Sequence, residues 1–450
     1  MSVADDSYLK ALPSEWGETR MGNVADILFS NVDKHTFETE TPVALCNYVD
    51  VYKNDCITSA IPFMQASAEP REIARFQIQK GDVLVTKDSE TPDDIAIPAL
   101  VAEDLPGVLC GYHLALIRPR HHKIDGPYLA WLHRSKAFRS HYEAQAVGVT
   151  RFGLSQSVFK DARIPLPPSA EQESIAAYLD ASCAAIDAAM LAKRQQLETL
   201  DALRKAIIQR AVTRGISKDV TLQSTGNSWM EQIPGGWKLV CLKRIAEIQG
   251  GLTLGKQYEG PLIERPYLRV GNVQDGHFDL DNVSVIELPA SVAPGVELRT
   301  DDVLMTEGGD LDKLGRGHVW NGEIAGCLHQ NHIFAVRCFP HKLKPMFLSY
   351  LTAAKYGRDY FEATGKKTTN LASTNATKVG QFHIPLPSVT EQEVICTYLE
   401  GKLGDVKRTV ESIESQIATL TAYRKSLIHE CVTGQRRITD ADVKRVKAHG

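Results

Sequence analysis

The sequence predicts an α+β protein built twice over. Two globular units of small mixed β-sheet with helices are expected, joined by two long antiparallel coiled-coil helices under a pseudo-two-fold internal repeat. Three observations carry this. The stretch Ile164-Pro165-Leu166-Pro167-Pro168-Ser169-Ala170-Glu171-Gln172-Glu173 returns about 220 residues later as Ile384-Pro385-Leu386-Pro387-Ser388-Val389-Thr390-Glu391-Gln392-Glu393. The register then holds without a gap, through Tyr178-Leu179-Asp180 and Tyr398-Leu399-Glu400 to Val212-Thr213 and Val432-Thr433, over some 50 positions. Such self-similarity marks a repeat architecture. Each copy also leads into a long apolar seam of helical spacing.

The seam is clearest in the second copy: Ile395, Leu399, Leu403, Val406, Val410, Ile413, Ile417, Leu420, Leu427 and Cys431. From Leu399 the steps alternate four and three, the heptad pattern of a coiled coil, broken only at Arg424. The first copy keeps the register with Ile175, Leu179, Ile186, Met190, Leu197, Leu200, Ile207 and Ala211, and Arg204 interrupts it at the equivalent place. Ser169-x-x-Gln172 and Ser388-x-x-Glu391 are capping-box patterns at the two starts. Arg204, Lys205, Arg210, Arg424 and Lys425 crowd the ends, as the helix dipole favours. Helices of about 43 residues, roughly 65 Å at 1.5 Å per residue, are expected. The seams require a partner, and each other's is the nearest. Two separate hairpins, each packed on its own unit, is the competing arrangement. Arg204 and Arg424 are expected to snorkel at frayed coil ends; the alternative is that they set the register or face a ligand.

The expected boundaries are 1–168 for the first globular unit, 169–215 for its helix, 222–387 for the second unit, 388–433 for its helix and 434–450 for a tail. Each unit opens on Pro-x-x-Trp, Pro13 to Trp16 and Pro234 to Trp237, expected to anchor a first strand in a core. Short strands between Gly, Asn and Asp turns follow: 268–273, 302–306, 317–320 and 333–338 in the second unit. Residues 82–86 match 302–306, and Gly111-Tyr112-His113-Leu114 lies where Gln330-Asn331-His332-Ile333 lies. A helical stretch follows in each, 128–142 and 345–362.

The composition is that of an ordinary globular chain, with 43% hydrophobic and 24% charged residues. No apolar run of membrane-spanning length and no signal pattern is expected. Nine cysteines, scattered and never in C-x-x-C, support neither a disulfide framework nor a zinc site and fit a reducing cytoplasm. The formal net charge of −4 counts against a nucleic-acid partner, but its distribution does not. Arg118, Arg120, Lys123, Arg134, Lys136, Arg139, Arg151, Lys160 and Arg163 face only Asp125, Glu143 and Asp161 in sequence. Arg337, Lys342, Lys344, Lys355, Arg358, Lys366, Lys367 and Lys378 face only Asp359 and Glu362. Matching basic segments at one place in a repeat suit phosphate neutralisation, and a pseudo-two-fold molecule suits duplex DNA.

Catalytic signatures are missing. Gly250 to Lys256 fits G-x-x-x-x-G-K, but Gln257 stands where a P-loop needs Ser or Thr. No G-x-S-x-G, H-E-x-x-H or dinucleotide fingerprint occurs, nor an N-P-P-Y tetrad or a convincing nuclease cluster. His121-His122 lacks metal-ligand spacing. No catalytic residue and no metal ligand is assigned.

The duplicated Pro-Leu-Pro, Glu-Gln-Glu and Tyr-Leu pattern ahead of a heptad helix resembles the specificity subunit of type I restriction–modification systems. Residues 249–256, Tyr267-Leu268-Arg269-Val270-Gly271-Asn272-Val273, Asp302-Val303-Leu304 and Gly315-Arg316-Gly317 resemble that family's target-recognition domain. The first unit departs more, with Phe29-Ser30-Asn31 and Asn47-Tyr48-Val49 at the corresponding places. The resemblance implies a non-catalytic, cytoplasmic DNA-recognition subunit. Each globular unit would read half of a split site in double-stranded DNA, and the coiled coil would set the spacer. Two methyltransferase subunits would dock on the helices, through Glu171, Gln172, Glu391 and Gln392. Two motor/endonuclease subunits would complete the complex. S-adenosylmethionine, ATP and magnesium would belong to those partners, and this chain would hold no cofactor and touch no membrane. A non-reading scaffold or decoy for methyltransferase subunits is the alternative.

Base readout wants polar side chains on exposed loops. In the second unit these are Thr253, Lys256, Arg269, Asn272, Glu307, Lys313 and Arg316, with Lys366, Lys367, Thr368 and Asn370 on the loop before the second Pro-Leu-Pro. In the first they are Ser30, Lys34, Asn47, Tyr48, Lys87, Ser89 and His113, with Thr150 and Arg151.

Overall fold

The computed structural model describes residues 6–120, 122–367 and 372–449. The chain forms two compact units: Met1–Lys193 with Glu414–Gly450, and Arg194–Ile413. Each unit holds one globular part and portions of both long helices. The architecture is mixed α/β.

In unit 1 the centre is a five-stranded sheet in the order Ala25–Phe29, Leu114–Pro119, Val83–Thr86, Pro98–Val101, Cys56–Ile57. Its middle strand, Val83–Thr86, is buried throughout, as a run of β-branched and apolar residues should be when both faces are covered. A second sheet pairs Thr41–Cys46 with Met64–Ala68 antiparallel and with Val108–Cys110 parallel. In unit 2 the counterpart sheet runs Ala246–Gly250, Ile333–Cys338, Asp302–Thr306, Gly317–Val319. Its second sheet pairs Ile263–Leu268 with Ser284–Leu288 antiparallel and with Leu328–His329 parallel.

The expected strand over 268–273 ends at Leu268, and Val270–Asn272 is a 3-10 turn. The Asn272 side chain decides this: it accepts from Arg269 N at 2.8 Å and donates to Asp279 O at 2.8 Å. The expected single helices over 128–142 and 345–362 are each two. Gly126–Arg134 and Lys136–Gln145 break at Ser135; Pro345–Ala353 and Lys355–Thr364 break at Ala354. The second corner is tight, because a Cβ on Gly357 would lie 2.5 Å from Leu351 O. Gly251, in the P-loop-like stretch, is required for a similar reason. A Cβ there would meet Gln330 O and His329 O at 2.3 and 2.4 Å, and no helix opens after it.

The long helices run Ser169–Arg214 and Val389–Val432, about 69 and 66 Å by helical rise. The heptad positions Leu403, Val406, Val410, Ile413, Ile417, Leu420, Leu427 and Cys431 are buried or half-buried, and most residues between them are exposed. In unit 1, Ile175, Leu179, Cys183, Ile186 and Met190 share a core with Leu427, Ile428, Cys431 and Val432. In unit 2, Ile208, Ala211 and Val212 share a core with Ile395 and Leu399. Arg424 does not snorkel. Its Nε lies 3.0 Å from Asp187 on the other long helix, whereas Arg204 pairs locally with Asp201. The first long helix carries an 18-residue window of mean hydropathy 1.5, apolar enough by composition to cross a membrane, contrary to expectation. Alanines raise that value. Its large apolar side chains fill the unit 1 core, Asp180 accepts from Trp131 Nε1 at 2.8 Å, and Asp187 pairs with Arg424.

Matching anchors lock each globular part to a helix start. Trp16 Nε1 donates to Glu171 and Trp237 Nε1 to Glu391, both at 3.0 Å. Asp125 N and Lys344 N donate to the Gln172 and Gln392 carbonyls, both at 2.8 Å. Arg118 forks onto buried Asp82 (2.9 and 2.7 Å), and Arg337 onto buried Asp302 (2.9 and 3.3 Å). Gly434 and Gly215 follow the helix ends at φ +75° and +73°, with Trp16 and Trp237 3.3 and 3.5 Å from where a Cβ would stand.

His133 is sealed in the unit 1 core. Its Nδ1 donates to Leu129 O at 2.8 Å, and its Nε2 accepts from Tyr142 OH at 3.1 Å. Burial pulls its pKa down to about 4. The unfolded chain binds a proton below about 6.5 that the folded unit refuses until about 4, so stability falls as pH drops through that window. The loss should approach about 3 kcal/mol at the lower end. Melting curves of His133→Met between pH 7 and 4 are expected to lose that part of the acid destabilisation; an unchanged pH profile would assign it elsewhere.

Candidate nucleic-acid interface

Each unit projects a small hairpin sheet from the end of its central sheet. In unit 1, Val147–Gly148 pairs with Phe152–Gly153, which pairs with Asp88–Ser89. In unit 2, Lys366–Lys367 pairs with Ala372–Ser373, which pairs with Gly308–Gly309. The hairpin stems are short, and the unit 1 tip, residues 149–151, is exposed, as contact loops on a rigid scaffold are.

In unit 1 the tip residues Thr150 and Arg151 are exposed and border a cleft of about 450 Å³ with Tyr48, Ser89, Glu90 and Asp94. Tyr48 stacks on Tyr52 at 5.6 Å and 15°. Burial, then the Asp94 charge, raises the Tyr48 phenol above its ordinary range. Lys87 reaches Asp88 at 3.1 Å and lies over the Tyr112 ring at 4.9 Å. His113 Nδ1 lies 2.8 Å from Asp88 Oδ2, and the Arg151 guanidinium lies 3.3 Å from the same nitrogen. Lys34 is exposed on the 30–40 loop, and half-buried Asn47 opens the Tyr48–Lys53 helix by donating its N–H to Asp50 at 2.7 Å. The structure thus gathers Tyr48, Lys87, His113, Thr150 and Arg151 around one edge.

In unit 2, Thr253 and Lys256 are exposed on the loop after Ala246–Gly250, and Arg269 is exposed at the 3-10 turn. Glu307 meets His332 at 3.1 Å beside the hairpin. Lys313 pairs with Asp310. Arg316 is half-buried, with no partner for its Nε among the described residues. It lies near Arg358, whose pKa burial lowers against the opposing Asp275 carboxylate 2.8 Å away. Lys366 and Lys367 are exposed. Thr368 and Asn370 lie outside the described residues, as does His121.

Several expected residues serve the fold instead. Ser30 is buried, its Oγ accepting from Val32 N at 3.1 Å, and Ser89 is buried in the hairpin sheet. Asn272 is buried and its hydrogen bonds are spent on the backbone of Arg269, Asp279 and Asn282. Gln172 and Gln392 are 2% and 0% exposed and bonded to their own units, so neither can face a docking partner. Glu171 and Glu391 are already acceptors for Trp16 and Trp237, and Glu171 also for Arg437.

The basic segments need a larger correction. Their cations are mostly matched by carboxylates far away in sequence: Arg118 by Asp82, Arg120 by Asp26, Arg134 by Asp55, Arg163 by Glu18 and Arg337 by Asp302. Lys136, Lys344, Lys355 and Arg358 are paired as well. On the expected contact loops, charge for an outside phosphate stands at Lys34, Arg151, Lys256, Arg269, Lys366 and Lys367. These are exposed and outside any ion pair among the described residues. Sequence reasoning passed over Asp88, Tyr112 and His332. The matching positions of His113 and His332 just before a central strand were the available signal.

Among the described residues, no group of three or more His, Cys, Asp or Glu could hold a metal ion, and all nine cysteines are free.

Residues 13–199 match the family model described as the type I restriction modification DNA specificity domain. The chain is 24% identical over 313 residues to the type I restriction enzyme EcoBI specificity subunit of Escherichia coli, covering 67% of this chain and 64% of that protein. It is 22% identical over 333 residues to the StySPI specificity subunit of Salmonella potsdam, covering 73% and 68%. The match therefore spans about two thirds of the length of these relatives. The HsdS subunit from Thermoanaerobacter tengcongensis shares the fold, with a TM-score of 0.55 at 18% identity over 94% of this chain and 98% of that one. So does a chain from a study of complex assembly and conformational transition in the type I R-M system, with a TM-score of 0.69 at 18% identity and the same coverage. Over residues 13–199 the chain is thus similar to the type I restriction modification DNA specificity domain.

Proposed function

We propose that the chain is the DNA sequence-specificity subunit of a type I restriction–modification complex. Each globular part reads one half of a bipartite site in duplex DNA. The two long helices pair antiparallel as a coiled coil, set the unread spacer and carry two methyltransferase subunits. Two motor/endonuclease subunits complete the assembly. The chain itself is not an enzyme. S-adenosylmethionine, ATP and magnesium act on the partners, in the cytoplasm. The repeat of anchors in both units supports a duplicated frame, and half-sites one turn apart on one face of a duplex, about 34 Å, suit it.

The observation that carries this reading is the exposed hairpin beside a histidine–carboxylate pair in each unit, with unlike residues at the two tips. The internal pairing of the basic segments favours the second reading, a scaffold that holds methyltransferase subunits without reading DNA. The unpaired loop cations favour the first. Lys366→Ala with Lys367→Ala is expected to lower the slope of log affinity against log salt by about 2, and to weaken specific and unrelated duplexes alike. Titrations at several salt concentrations measure this; an unchanged slope would place phosphate elsewhere.

A further inference from the structure

In both units a histidine and a carboxylate meet at the same place beside the hairpin. His113 Nδ1 lies 2.8 Å from Asp88 in unit 1, and His332 Nδ1 lies 3.1 Å from Glu307 in unit 2. The backbone clamp is also shared. Lys87 N donates to His113 O at 3.2 Å, and Glu307 N donates to His332 O at 2.9 Å. Leu154 N and Thr374 N, from the returning hairpin, donate to Lys87 O and Glu307 O at 2.9 and 2.8 Å. The position is therefore held by three chain segments in each unit, a rigidity that a reading side chain needs.

An ionised carboxylate only accepts, so Nδ1 carries the proton in both rings. The Arg151 guanidinium near His113 Nδ1 is then a close approach and not a hydrogen bond. Nε2 is left for an outside group, and in the neutral ring it is an acceptor. Exposure points the same way. The His113 and His332 side chains are 38% and 53% exposed, whereas Asp88 and Glu307 are 19% and 25%. The imidazole faces outward and the carboxylate stands behind it.

We propose that His113 and His332 are base-reading residues, one in each unit, whose Nε2 accepts from the exocyclic amino group of adenine or cytosine. Asp88 and Glu307 are positioning residues that fix the ring and its tautomer. This rests on the DNA-reading function proposed above. An acceptor backed by a carboxylate repels phosphate, so the contact is to a base edge; the amino groups of adenine and cytosine are the donors in the major groove. The surroundings differ. Lys87 and Arg151 flank the ring in unit 1, and Glu307 itself occupies the place of Lys87 in unit 2. Two like readers in unlike fields suit two different half-sites.

The test is selection of duplexes from a randomised library by the full chain, followed by sequencing. His332→Ala should flatten preference at a single position of one half-site, losing about 10- to 100-fold discrimination there. His113→Ala should do the same in the other half-site only. Glu307→Ala should weaken the His332 position, and Glu307→Gln, whose carbonyl still accepts from Nδ1–H, should restore most of it. His332→Gln serves if the alanine variant folds poorly. Unchanged motifs in both histidine variants would overturn the proposal, as would loss spread evenly over every position. A wild-type chain that selects no sequence at all would overturn the DNA-reading function itself.

Discussion

Asp302→Ala is expected to destabilise unit 2 by about 3–5 kcal/mol, the range for removing one partner of a buried ion pair. Asp302 is 1% exposed, and both its oxygens are used. Oδ1 takes Arg337 Nε at 2.9 Å, and Oδ2 takes Arg299 N at 2.9 Å and Arg337 NH2 at 3.3 Å. Without it, the Arg337 guanidinium stays between central strands with only Glu297 O at 3.1 Å for company. Desolvation of that unmatched charge, more than the lost bonds, sets the size of the effect. Replacing both residues together, Asp302→Leu with Arg337→Met, should recover most of the loss. Denaturant melts of the three variants measure this. A double variant as unstable as Asp302→Ala would mean that shape, not charge, dominates at this site. Asp82 and Arg118 should behave alike in unit 1, since Gln79 N at 2.8 Å fills the role of Arg299 N.

Trp237→Ala should cost unit 2 about 3–5 kcal/mol. The ring is buried, and it meets Gly215 and Glu391 at once. Trp237→Phe keeps most of the packing and removes only the donor to Glu391. It should cost about 1.5–3 kcal/mol, the worth of a hydrogen bond to a charged group. The difference between the two variants separates packing from anchoring. If both cost the same, the indole N–H is the whole of the anchor. The consequence for function follows from position. Trp237 and Gln392 are the pins that hold the globular part of unit 2 against its helix.

The regular part of this fold was legible in the residues. Heptad spacing from Leu399 to Cys431 marks a long helix because a 3.5-residue period has no other use over about nine turns. Central strands such as Ile333–Cys338 were legible because a run of apolar residues broken only by Arg337, between turn signals, admits few alternatives. What failed was set by partners distant in sequence. Arg118 looks like an unbalanced cation until Asp82 is folded beside it, and Arg163 until Glu18 is. Asn272 looks like an exposed reader because it is a polar residue beside a glycine turn, yet Asp279 O and Asn282 O close on its amide. Gln172 and Gln392 belong to a repeated motif and were expected to meet a partner. They recur because each ties a helix start to the strand-to-helix crossing of its own unit. Exposure of the loops was legible: Thr150, Arg151, Lys366 and Lys367 are all exposed.

The central claim, that one frame holds two independent readers, is tested by exchanging residues 1–168 for the corresponding part of a relative with different specificity. The chimaera is co-expressed with the methyltransferase subunit, and modified bases are mapped across the genome. A split motif is expected in which one half changes while the other half and the spacer stay as they were. A change in both halves, or modification without a split motif, would contradict it.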